Sequence, residues 1–148
     1  VTSFKDVMTG LKTTLESNAA LQAYAQAKWS KNIQIMIVFK PDTEVGLDEL
    51  PLIMMTRPEV KKSSLIGGSR EGEHIVRLYF LFREEDRLQA QEILIEMDEK
   101  IDDALTAPYP WDIGGALDIK PGDSLNNEGH FHPAYALVMD VSITHSRN

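Results

Sequence analysis

The 148 residues are 43% hydrophobic and 26% charged, the make-up of one globular domain spanning 1–148 that buries enough core to fold without a metal or cross-link. The absence of cysteine excludes a disulfide framework, cysteine-ligated zinc, an iron–sulfur centre and a cysteine nucleophile. A formal net charge of −8 disfavours phosphate backbones, and no apolar run reaches the ~18 residues that span a bilayer, so neither nucleic acid nor a membrane is an expected partner. The stretch Val1 to Asp6 lacks a basic segment leading into an apolar one, so no signal peptide is expected, and the absence of cysteine fits a reducing compartment.

The first element reads as a helix. Phe4, Val7, Met8, Leu11 and Leu15 recur at three and four residues, and Ser3 or Thr2 can cap it. Asn18 breaks the pattern and can cap a second, alanine-rich helix holding Leu21, Tyr24 and Ala25. Ile33 to Phe39 is almost wholly apolar and predicts a strand buried on both faces. A second strand is expected from Leu50 to Thr56, with Pro51 at its start and Pro58 limiting its far end.

The lysines, serines and glycines between 58 and 73 predict an exposed, mobile hairpin arm or loop, with a local basic patch at Lys61, Lys62 and Arg70. His74 to Arg83 alternates as a third strand, Val76, Leu78, Phe80 and Phe82 facing the core. Glu84-Glu85-Asp86 suits a helix N-terminus, and the helix is expected over about Glu85 to Leu105. Its apolar stripe is Ala90, Ile93 or Leu94, Met97, Ile101, Ala104 and Leu105, with Ile95 off that stripe. A long loop is expected near 107–130, interrupted by a short apolar piece, Ala116 to Ile119. The last strand runs from Ala134 to Thr144, with Tyr135, Leu137, Met139, Val141 and Ile143 on one face. This order is not a steady βα alternation. It predicts an α+β fold, with an antiparallel or mixed sheet of about four to six strands and helices packed mainly on one face.

No constellation reads as an active site. His130-Phe131-His132 is the most suggestive local feature, because histidines at i and i+2 on a strand share a face and can share a metal. Asp123, Glu128 or Asp140 would have to complete such a site; a polar loop turned by Pro133 is the plainer reading. Gly67-Gly68-Ser69-Arg70-Glu71-Gly72 matches neither the phosphate-loop pattern nor the dinucleotide fingerprint. The acidic pairs of the long helix fall on its solvent face, and no serine has a nucleophile-elbow setting. No cofactor is expected. Trp29 and Trp111, next to turns, read equally as core or as interface anchors; they and the apolar Leu65-Ile66 pair in a polar arm are interface candidates, as are Ile95, Lys61, Lys62 and Arg70.

The element order resembles the tail terminator and tail completion (minor tail) proteins of long-tailed bacteriophages. The resemblance rests on the first helix running into Leu15-Glu16-Ser17-Asn18-Ala19-Ala20-Leu21 and on the proline-flanked strand Leu50 to Pro58. It continues through the glycine-containing arm, the strand His74 to Arg83 feeding the helix Arg87 to Leu105, and the final strand Tyr135 to Thr144. The excursion from Trp111 to Asn127 is longer than that pattern. The resemblance implies a non-enzymatic structural subunit of a phage or prophage tail. Such a subunit forms a homo-oligomeric ring, often a hexamer, at the end of the tail tube, with other tail and head–tail connector proteins as partners. It would sit in the virion tail and pass through the host cytoplasm during assembly. The alternatives are a small metal- or ligand-binding domain using His130 and His132, and a generic cytosolic adaptor.

Overall fold

The computed structural model describes residues 3–41, 44–64, 70–106, 113, 116–126, 129 and 132–147. Helix α1, Phe4–Ser17, begins at a capping box. The Ser3 hydroxyl accepts from the Lys5 amide at 3.2 Å, and the Asp6 carboxylate accepts from the Ser3 amide at 3.1 Å. Asn18 caps helix α2, Ala19–Trp29, by accepting from the Leu21 amide at 2.9 Å. Gln22 ties this corner to the sheet. Its side chain donates to the Leu15 carbonyl and accepts from the Ile33 amide. Helix α3, Arg87–Thr106, starts at Asp86, whose carboxylate accepts from the Gln89 amide at 3.0 Å.

Five strands follow in chain order: β1 (Gln34–Met36), β2 (Leu52–Ser64), β3 (Arg70–Arg83), β4 (Ala116–Asn126) and β5 (Ala134–Arg147). They form one mixed sheet in the order β1-β2-β3-β5-β4, with β1 parallel to β2 and every other pair antiparallel. This is the expected α+β fold. The helices pack on one face. Val7, Leu11 and Leu15 of α1 and the whole predicted stripe of α3 are buried against Val76, Leu78, Phe80 and Phe82 of β3 and Tyr135 to Ile143 of β5. Each such side chain contributes roughly 1.5–3 kcal/mol relative to exposure.

Three expectations are corrected. The strand expected over Ile33 to Phe39 spans only Gln34–Met36, and it is not buried on both faces. It lies at the sheet edge, so Ile33 and Ile35 turn into the helix layer, while Ile37, Val38 and Phe39 run off the ladder and remain 45%, 40% and 51% exposed. Phe39 crosses to the opposite face and packs on Tyr79, with ring centroids 5.0 Å apart. The same segment covers Met54, whose sulfur accepts from the Lys40 amide at 3.3 Å.

Pro58 does not end β2. The register shifts between Thr56 and Glu59, and Pro58 lies inside that irregularity, where a missing donor breaks no ladder bond. On both sides of 65–69 the expected hairpin arm is strand. Glu59 to Ser64 pair with Arg70 to Ile75, and Arg70 to Glu73 also pair with Thr144 to Arg147. Finally, the short apolar piece at Ala116 to Ile119 belongs to an eleven-residue strand inside the expected long loop. An edge strand can be polar along its free side, so Ser124 to Asn126 pair with β5 despite a loop-like composition. A register shift between Pro121 and Ser124 brings Gly122 against the sheet; a Cβ there would sit 2.9 Å from the Asp140 carbonyl.

Candidate functional site

A pocket of ≈ 640 Å³ opens where the N-terminus of α1 meets β2 and β3, beside the segment that leaves β1. Phe4 and Met8 reach it because the capping box starts the helix there, with Phe4 in its first turn. Ile37, Val38 and Met55 extend the apolar wall. Lys5, Arg57 and Lys62 supply positive charge, and Glu71 is the one carboxylate among the lining residues. The pocket is thus a local cationic patch on a chain of net charge −8.

Two buried histidines form its floor. His74 is 7% exposed and His145 3% exposed. The His74 ring stacks on Phe4 with centroids 3.7 Å apart and planes 5° off parallel, and His145 meets both rings edge-on. The Arg57 guanidinium also lies against the Phe4 ring, 5.3 Å from its centroid, and its Nη1 is 3.3 Å from His74 Nδ1. As a permanent donor, Arg57 makes Nδ1 the acceptor, which selects the neutral imidazole. Burial, and then the charge of Arg57, depress the His74 pKa from 6.5 to about 4, with His145 and Lys62 acting in the same direction. Burial also lowers His145, against a weaker opposing pull from Asp6. Gly72 makes room for this arrangement, because a Cβ there would fall 2.9 Å from His74 Nε2. Neutral imidazoles, an arginine and two lysines around an apolar wall can receive an anionic group carried on an apolar one.

Sequence reasoning missed this pocket, although part of the signal was present. His74 has the parity of Val76 to Phe82, and His145 that of Tyr135 to Ile143, so strand alternation alone puts both on the buried face.

Of the residues singled out from sequence, Lys62 lines the cavity and the others described fall elsewhere. Lys61 is exposed opposite Glu73. Arg70 begins β3, between Ser64 and Arg147. Trp29 is half-buried at the end of α2. Its indole donates to the Arg83 carbonyl at 3.2 Å, and its ring packs on Phe80 and Phe82. Ile95 is 62% exposed on α3. Leu65, Ile66, Trp111, Glu128 and His130 lie outside the described residues. His132 Nδ1 is 2.7 Å from the Tyr135 hydroxyl, and Asp140 is held by Arg77 through two bonds of 2.8 and 3.2 Å. Among the described residues, no three histidine, aspartate or glutamate side chains gather as a metal site. The acidic side chains of α3 face solvent as predicted.

No family model matches the chain, and no curated protein matches it. Among solved structures, it superposes on a chain of the virion of a native gene transfer agent particle with a TM-score of 0.70, covering 97% of each chain at 9% sequence identity. The chain shares the fold of a virion component. At that identity the likeness carries the fold and no individual residue.

Proposed function

We propose that the chain is a non-enzymatic structural subunit of a phage-like particle, and that within it the chain is a tail terminator or tail completion protein forming a ring at the end of the tail tube. The observation that carries this reading is the full-length fold likeness to a chain of a gene transfer agent virion. The element order that resembles the terminator family from sequence supports the finer part. In this reading the chain works in the virion tail after assembly in the host cytoplasm, against other tail and head–tail connector proteins. A ring requires a heterologous contact, in which two different surfaces of one subunit meet those of its neighbours. The exposed Ile95, Lys61 and Lys62 are among the side chains available for it. Native mass spectrometry over a concentration series, with negative-stain images of the heaviest species, tests the reading. A closed ring of one stoichiometry is expected. A monomer at every concentration, with no binding to isolated tail tubes, would sink it.

A further inference from the structure

Helix α3 buries Ala90, Ile93, Leu94, Met97 and Ile101, yet it also displays Leu88 and Ile95 at 71% and 62% exposure. These two are seven residues apart, two turns along the same side and ~10 Å from each other. Glu92 and Glu99 each follow one of them by four residues and are exposed. The outer side of α3 is therefore an apolar pair flanked by carboxylates. The pocket described above is its complement, with an apolar wall that includes exposed Ile37 and Val38 under Lys5, Arg57 and Lys62.

The two surfaces belong to different parts of the subunit: the pocket opens between the N-terminus of α1 and strands β2, β3 and β5, and the stripe lies on the exposed side of α3. One subunit cannot join them to each other. Two copies placed head to tail can, and each copy would still offer one free surface of each kind, as ring growth requires. We propose that the Leu88–Ile95 stripe of one copy docks into the Lys5–Arg57–Lys62 pocket of the next, the carboxylates of the stripe meeting the cations of the rim. The inference deepens the ring reading and rests on it. A second copy is the chosen occupant because this chain itself carries the matching acidic and apolar surface.

Charge swapping tests the contact without touching the buried histidines. Lys5→Glu with Lys62→Glu places acidic pocket against acidic stripe, and Glu92→Lys with Glu99→Lys places cationic against cationic. Each variant alone should associate at least ~tenfold more weakly than the unaltered chain. An equimolar mixture should recover assembly, because copies can then alternate. Circular dichroism checks that both variants fold. A second measurement uses the absence of native cysteine. Val38→Cys and Ile95→Cys copies, mixed and oxidised, should give the 38–95 heterodimer in excess over either homodimer. Oligomers that survive both swaps, or a ring without the 38–95 cross-link, would overturn this contact and leave the ring reading standing. A chain that is monomeric throughout and yields no cross-link removes both.

Discussion

Replacing His74 with glutamine should flatten the dependence of stability on pH below neutrality. In the folded chain the His74 pKa lies near 4, whereas an exposed histidine titrates near 6.5. Between those values the unfolded chain binds the proton and the folded chain does not. Stability is therefore fully present above pH 6.5 and is lost as pH falls toward 4. At ~1.4 kcal/mol per pH unit, the loss over that window comes to about 3 kcal/mol as an upper figure. His145, also depressed by burial, acts with the same sign. Glutamine keeps an acceptor for Arg57 but has no proton to gain. Urea unfolding of the two proteins at pH 7, 6, 5 and 4.5 separates this effect from that of the many carboxylates, which both proteins share. The difference in stability should shrink steadily as pH falls, the native chain losing more. Parallel curves would mean that His74 is solvated enough to titrate normally, and the account of the pocket floor would be wrong.

Three further substitutions probe the frame around the site. Phe80→Ala removes a ring 1% exposed between Trp29 and Phe82 and should cost roughly 3–5 kcal/mol, read as a large fall in Tm by calorimetry. Gly122→Ala would drive a methyl group against the Asp140 carbonyl, a backbone atom that moves only with β5; a loss of about 1–3 kcal/mol in denaturant unfolding is expected, and a neutral result would show that the bend in β4 adapts freely. Ser3→Ala strips the hydroxyl half of the capping box and should lower stability by about 1 kcal/mol while fraying the mouth of the pocket, detectable as faster amide exchange at Lys5 and Asp6.

What could be read from the sequence followed the strength of each local signal. Helix α3 was legible down to individual residues, because twenty residues give more than five turns of a 3.6 period and each turn repeats the same face. The alternation of β3 and β5 was equally clear, since both strands are central and only one face meets the helices. The errors lie at the edges. Ile33 to Phe39 is apolar because its residues serve three surroundings in turn: the helix layer, the pocket wall and the Tyr79 ring. A continuous apolar run cannot distinguish that from burial on both faces. Strand β4 erred in the opposite direction, because one free side tolerates Ser124 and Asn126. Pro58 misled for a related reason: a proline in a ladder irregularity looks the same in sequence as one at a strand end. The pocket was hidden because it draws on five segments far apart in the chain, from Ser3 to His145, and no segment carries a motif.

The position of β5 has a kinetic meaning. It is the last strand in the chain order, yet it lies inside the sheet, between β3 and β4. Phe80 pairs with Leu137 and Arg70 with Arg147, so much of the central ladder joins residues more than fifty positions apart. Until β5 emerges, a nascent chain holds β3 with one bare edge and β4 with no neighbour. Both are then templates for pairing with another chain. Pairing at such long range also slows closure of the sheet. Holding the nascent chain on the ribosome, or under a chaperone, until β5 can pair would protect both bare edges.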